Sequence, residues 1–188
     1  MSIAKITAEL RSERLLLRPL ALSDSQAFFD IFSDADTLLY WSREPISSHE
    51  EAAALIQKEL DFAKSGTCIS WGVALPDSNL LIGKANIFQL SEQHRRAEVG
   101  YILDRQHWGR GYMTEAMRCV LAYAFDKLKL HRLEADTDPE NAPSLALLEK
   151  IGFQREGLFR DRWHVHGRWH DSVMFGLLEE DYRNNGAA

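Results

Sequence analysis

A chain of 188 residues with 45% hydrophobic and 27% charged residues can bury one substantial core and is composed like a soluble globular protein. Its net charge of −6 excludes the strongly basic face of a general nucleic-acid binder and suits a cationic partner such as an amine. Cys68 and Cys119 are too few for a disulfide framework, and no Cys/His cluster suggests a metal. A single bridge between them is formally open, but two reduced thiols in a cytoplasmic protein are the expectation. The first ten residues lack the apolar run of a signal peptide, and no stretch approaches the ~20 apolar residues of a membrane span, so no membrane partner is expected.

In chain order, Arg14–Arg18 reads as a strand ended by Pro19. Ser23 and Asp24 offer N-caps to a helix carrying Ala27, Phe28, Ile31 and Phe32 on one face. A second helix follows Ser47 and Ser48, with Ala52, Leu55, Ile56, Leu60 and Ala63 at helical spacing and Gly66 as its stop. The period then changes. Trp71–Leu75 and Leu80–Phe88 read as two strands joined by the turn Pro76–Asn79. Ala97–Leu103 is a further strand, and Met113–Leu128 a long amphipathic helix with Met113, Met117, Val120, Leu121 and Ala124 inward. Leu133–Thr137 is a short strand. Pro143–Ile151 is a compact helix with Pro in its first turn and Gly152 past its end. Two closing strands, about Phe153–Val165 and Trp169–Leu178, meet near His166-Gly167. No repeat or linker divides the chain, so residues 1–188 are expected to form one α/β domain, layered as α+β around a mixed sheet.

The segment Gln106-His107-Trp108-Gly109-Arg110-Gly111-Tyr112 joins a strand to a helix. Two glycines there permit backbone angles closed to other residues, and the freed amides with the helix N-terminus form an anion site suited to a diphosphate. A tight turn alone would also use this pattern. A P-loop is excluded because Tyr112-Met113, not Lys-Ser/Thr, follows the second Gly. A dinucleotide fingerprint is disfavoured because Thr114 stands at its third small position and the loop lies past the chain midpoint.

Together with Asn141-x-x-Ser144-x-x-Leu147-Leu148-Glu149-Lys150-x-Gly152-Phe153, the Gln106-x-x-Gly109-x-Gly111 signature resembles the GNAT superfamily of N-acetyltransferases. The branch it looks most like is the RimJ/RimL type, which includes ribosomal-protein N-terminal alanine acetyltransferases. Arg14–Pro19, Glu98–Tyr101, His131–Glu134 and Asp171–Val173 also fit, so the likeness covers nearly the whole chain. It implies a largely antiparallel central sheet with flanking helices and two splayed parallel strands, Glu98–Leu103 and Leu133–Thr137, holding acetyl-CoA between them. By the same carry-over, amides around His107 to Tyr112 hold the pyrophosphate. The backbone of Tyr101, Ile102 and Leu103 pairs with the pantetheine arm, and Asn141 and Ser144 lie near the arm and thioester. Lys150 and Arg110 either meet phosphates or remain solvated. A homodimer is the family default.

Acyl transfer to an amine needs a neutral nucleophile, stabilisation of a developing oxyanion and a tolerated leaving thiolate. A backbone amide near Tyr101–Leu103 would serve the oxyanion if the strand bulges there. Ser144 is the candidate partner of the leaving sulfur, with a helix-capping role as the alternative. Glu98 is the candidate base, with an ion pair to Arg95 or Arg96 as the alternative and Asp136 as a second carboxylate. His94, His131, His164, His166 and His170 read as surface or turn residues.

An α-amine with pKa near ~8 is about a tenth neutral at pH 7, whereas a lysine amine near ~10.4 is neutral only about once in 2,500. A site without a strong base therefore favours a protein or peptide N-terminus. A polyamine, amino acid or antibiotic is the alternative acceptor, and a non-catalytic acetyl-CoA-binding module a third reading. Trp41, Trp71 and Trp169 are expected in the acceptor pocket, with Tyr40, Phe88 and Trp163 as further candidates. Glu44, Glu50, Glu51 or Asp171 would receive a cation.

Overall fold

The computed structural model describes residues 8–165 and 167–185; His166, at the predicted closing turn, lies outside the described residues. Eight strands form one sheet in the order β1-β2-β3-β4-β5-β6-β8-β7. They are β1 (Leu10–Arg11), β2 (Leu16–Arg18), β3 (Cys68–Ala74), β4 (Leu81–Ser91), β5 (Arg96–Leu103), β6 (Arg132–Thr137), β7 (Gln154–Val165) and β8 (Arg168–Leu178). The helices are α1 (Ser25–Ser33), α2 (His49–Ser65), α3 (Tyr112–Ala122), α4 (Ala142–Lys150) and α5 (Glu179–Asn185). No helix among the described residues is long and apolar enough to cross a membrane.

Every neighbouring pair is antiparallel except β5 with β6. Their parallel register runs Arg96↔Arg132, Ala97↔Leu133 and Glu98↔Glu134, and stops there although β5 continues to Leu103 and β6 to Thr137. The two strands therefore part into a V, as the family resemblance implies.

Alternation along β5 and β6 sends side chains to two faces. Ala97, Val99, Leu133 and Ala135 join Trp71, Met117, Leu121, Phe125 and Phe175 in a core closed by α3 and α4. On the other face Ile102 and Leu81 pack with Phe28, Phe32, Ile46 and Ile56 under α1 and α2. That second face is also where Glu98, Glu134 and Asp136 point.

The helix ends follow their sequence signals, with one exception. Ser48 caps α2 by accepting from the Glu51 amide at 3.2 Å, Glu51 returns to the Ser47 amide at 2.7 Å, and Gly66 ends the helix at φ 75°. Asp24 does not cap α1 with its side chain. Its carboxylate instead pairs in bidentate fashion with the buried Arg18 at 2.7 and 2.8 Å.

The predicted long helix changes to a wider π turn over Tyr123–Lys127. α5 carried no periodic apolar signal and was not foreseen. Cys68 and Cys119 are both free.

Candidate active site

The V opens onto a cavity of about 790 Å³. On its β5 wall are Glu98 through Leu103; on its opposite wall are Asn141, Ser144 and Lys150 from α4 and the segment before it. Trp108, Gly109, Gly111 and Tyr112 close one end, and Tyr40, Trp41, Phe88, Trp163 and His170 surround the other.

The glycine loop is braced from within. Asp104 accepts from the Gln106 amide at 2.9 Å, the His107 amide donates to the Asp104 carbonyl at 2.9 Å, and the Trp108 amide donates to Arg105 at 3.2 Å. The amides of Gln106, His107 and Trp108 are thus engaged. This narrows the expected His107–Tyr112 cradle to its later half. The amides of Gly109, Arg110 and Gly111 have no such partner among the described residues.

Gly109 and Gly111 have φ of 72° and 77°, which a residue with a Cβ adopts only at a cost. Gly111 is the N-cap of α3, and no side chain caps that helix. The unpartnered amides and the helix terminus fit a pyrophosphate. The side chains of Gln106, His107 and Arg110 do not line the cavity.

Arg14 holds this loop from outside. Its Nε donates to Glu115 at 2.7 Å, one terminal nitrogen donates to the Arg110 carbonyl at 3.1 Å, and its guanidinium lies 4.7 Å over the Tyr112 ring. The sequence flagged the Arg14–Pro19 stretch only as family-like.

Beyond Glu98 the β6-facing edge of β5 has no strand partner, so Tyr101 offers backbone to a ligand in the V, while the Leu103 carbonyl accepts from the Trp108 indole at 2.8 Å. On its other side β5 pairs regularly with β4 from Glu98 to Leu103. The irregularity lies instead at Phe88–Ser91 of β4, where Gln89 takes φ 49°. An oxyanion donor created by a bulge at Tyr101–Leu103 is therefore not what this fold builds.

On α4, Asn141 is the N-cap and accepts from the Ser144 amide at 3.2 Å. Ser144 is not the cap. Its hydroxyl lies 2.7 Å from the Tyr101 hydroxyl across the cleft.

Glu98 is 9% exposed at the fork of the V. Burial raises its carboxyl pKa, and the neighbouring Glu134 and Asp136 carboxylates push it the same way. The expected alternative partners are occupied elsewhere. Arg96 pairs with Glu134, and Arg95 with the Lys129 carbonyl at 2.7 Å and Glu179 at 3.4 Å. Asp136, the second carboxylate considered, accepts from Arg162 at 2.7 Å, from the Trp163 indole at 3.3 Å and from Ser172. Three donors thus engage its two oxygens.

Of the aromatic residues expected around the acceptor, Trp41 lines the cavity and stacks edge-on to Phe32 at 5.7 Å. Trp71 does not. It is fully buried in the core, donating its indole N–H to the Ala8 carbonyl at 2.8 Å and packing edge-on to Tyr123. Trp169 is 63% exposed on β8 beside His164, outside the cavity lining. The inward aromatic of that hairpin is Trp163, because strand alternation and the irregular register between Phe159 and Trp163 turn it toward Asp136.

His170 does not sit on a bland surface: it lines the cavity and contacts Asp138 at 3.1 Å. Asp36, Thr37, Leu39, Asp138 and Arg162 were missed. The first three lie in irregular chain after α1, which carries no periodic signal.

The split sheet, with uncapped amides at one side of the cleft and paired hydroxyls at the other, fits a CoA thioester. The chain belongs to the GNAT acetyltransferase family: the family described as "Acetyltransferase (GNAT) domain" matches residues 14–154.

Relatives include the uncharacterized N-acetyltransferase p20 of Bacillus licheniformis, 35% identical over 92% of this chain and 97% of that protein. The spermidine N(1)-acetyltransferase of Vibrio cholerae is 26% identical over 92% of this chain and 98% of that protein. Among solved structures, a GNAT-family acetyltransferase from Bacillus anthracis superposes with a TM-score of 0.82 at 30% identity, over 92% of this chain and 99% of that one. Mycobacterium smegmatis RimJ in complex with CoA-disulfide gives 0.81 at 25% identity, over 88% of this chain and 82% of that one. The protein is an acetyltransferase, and acetyl-CoA is its acetyl donor.

Proposed function

We propose that the acceptor is the α-amine of a protein or peptide N-terminus. The observation that carries this is the state of the carboxylates. Asp136 is already engaged by Arg162, Trp163 and Ser172, whereas Glu98, buried at the fork with a raised pKa, is the carboxylate left to act as base.

A carboxylate whose pKa is raised, but which faces no stronger assisting base, suits an amine that is already partly neutral at pH 7. Likeness to a structure described as a putative ribosomal-protein-serine acetyltransferase from Vibrio cholerae supports a protein acceptor. In this reading bound acetyl-CoA supplies an activated acetyl carbon and a thiol leaving group. The amides of Gly109–Gly111 and the α3 terminus hold its pyrophosphate, and the β5 edge that parts from β6 beyond Glu98 aligns its arm. Lys150 reaches phosphate from the α4 wall. Glu98 takes the proton shed by the attacking amine, directly or through water, and Ser144 donates a hydrogen bond to the sulfur.

A second reading rests on a separate observation. Asp36, Asp138 and Asp171 add three acidic groups to the acceptor end. Such a lining would also draw a polyamine, as would likeness to a spermidine acetyltransferase.

The two are separated by incubating the protein and acetyl-CoA with peptides beginning in Ala, Ser and Met, and with spermidine and spermine. CoA release is followed and the products weighed by mass spectrometry. Acetylation of a peptide α-amine with a higher kcat/KM than either polyamine is the expected result. The reverse order overturns the N-terminal reading and leaves the polyamine one.

A further inference from the structure

The Tyr101 backbone has a role above; its side chain does not. Tyr101 stands on β5 and Ser144 in the first turn of α4, so their 2.7 Å contact bridges the two walls of the cleft. The Ser144 amide is held by Asn141, and with Oγ placed against Tyr101 the hydroxyl proton is left to turn about the Cβ–Oγ bond.

Either oxygen can donate in such a pair. A phenol is the stronger acid and the weaker acceptor, so the favoured order is Tyr101 O–H to Ser144 oxygen. That order frees the Ser144 proton for another acceptor. Burial pushes the Tyr101 phenol up to about 12, so it stays a donor through the working pH range and does not itself ionise.

We infer that Tyr101 is a positioning residue whose hydroxyl turns the Ser144 proton toward the sulfur of the CoA arm. This rests on the role of Ser144 proposed above. When the C–N bond forms and the C–S bond breaks, the electron pair stays on sulfur. Ser144 hydrogen-bonds that thiolate, Tyr101 orients Ser144, and the amine's proton goes to Glu98.

The test needs no acceptor. CoA is bound to the full-length protein and its thiol titrated by the ultraviolet absorbance of the thiolate, with the desulfo-CoA complex as blank. A hydrogen bond to the charged form raises the thiol's ionisation constant, by about tenfold for one good donor. Ser144→Ala is expected to lower that constant about tenfold and Tyr101→Phe at least about threefold, with the double variant equal to Ser144→Ala.

A Tyr101→Phe protein that titrates like wild type overturns the inference. So does a double variant that falls below Ser144→Ala by the full Tyr101→Phe factor, because the two residues would then act independently. If Ser144→Ala itself leaves the constant unchanged, the role of Ser144 fails first and the inference with it.

Folding and CoA binding of each variant are checked by melting and calorimetry. Should Tyr101→Phe lose either, 3-fluorotyrosine at position 101 keeps the shape and strengthens the donor. It is expected to raise the constant above wild type, and no rise overturns the inference.

Discussion

Glu98 on β5 stands directly opposite Glu134 on β6, at the last paired position before the two strands part. Two carboxylates across a parallel pair disfavour each other's charge, and Arg96 and Arg132 both turn to Glu134. Glu98 is left as the acid whose pKa rises.

The rate should therefore climb with pH through a value above the ordinary carboxylate range, because protonated Glu98 cannot accept a proton. Glu98→Gln should remove this limb and lower kcat by about 10²- to 10⁴-fold. Glu134→Gln should move the limb to lower pH, since one repelling charge is gone and two arginines lose their anion. A pH–rate profile of CoA release checks both, and a limb that stays in place under Glu134→Gln would sink the assignment.

The glycine loop makes a different demand. A Cβ at Gly109 would meet nothing within 4 Å, so its φ of 72° rather than crowding is what requires glycine. Gly109→Ala should cost about 1 kcal/mol of stability. Gly109→Glu should in addition weaken CoA binding at least about tenfold by placing an anion in the phosphate cradle. Melting and calorimetric titration separate the two effects.

Arg14 braces that loop through Arg110, Glu115 and Tyr112. Arg14→Ala should raise the Kd for CoA about three- to tenfold, and Arg14→Lys should restore little, because an ammonium cannot reproduce the planar fork. Equal Kd values for Arg14→Ala and wild type would show the brace to be idle.

Away from the site, buried Lys84 on β4 pairs with Glu59 of α2, which also accepts from Ser70 at 2.5 Å. Burial alone would raise the Glu59 pKa, but the Lys84 ammonium and the Ser70 hydroxyl hold it below the ordinary value. Its folded pKa is depressed, so its contribution is complete above the unfolded value of about 4.3 and is lost as pH falls through the folded one. Glu59→Gln should cost about 3 kcal/mol in urea unfolding near neutral pH by stranding a buried ammonium. Adding Lys84→Met should recover most of it.

Two tryptophans that look alike in sequence should behave oppositely. Trp71→Ala should cost about 3–5 kcal/mol of stability. Trp41→Ala, which removes only a partly buried ring packed on Phe32, should lower the melting temperature less and raise the acceptor KM. Acceptor kinetics beside thermal melting decide it.

The contrast between those tryptophans shows where sequence reading ends. Helix ends at Ser48, Gly66 and Gly152, the hairpins, and the glycine loop were legible because caps, turns and periodicity are local rules that the chain obeys wherever it folds. That Glu98–Leu103 and the glycine loop share one side of the cavity was legible because these residues follow one another along the chain. The other end was legible only in part: Tyr40, Trp41, Phe88 and Trp163 line the cavity as expected, but Asp36, Asp138 and Arg162 were not foreseen, since that end is assembled from the segment after α1, from β4 and from the β7–β8 hairpin. No local pattern marks those as neighbours.

The sequence by itself determined the family through its motifs and, through short-range backbone preferences, most of the elements and the two-glycine turn before α3, but not β1, α5 or the π turn. Only the tertiary structure decided that Trp71 is core and Trp163 faces the site, that Asp136 is held by Arg162, Trp163 and Ser172 while Glu98 is buried beside Glu134, and that Tyr101 meets Ser144. Those outcomes depend on which side chains the sheet order brings within hydrogen-bonding distance, and distance in space is not written in spacing along the chain.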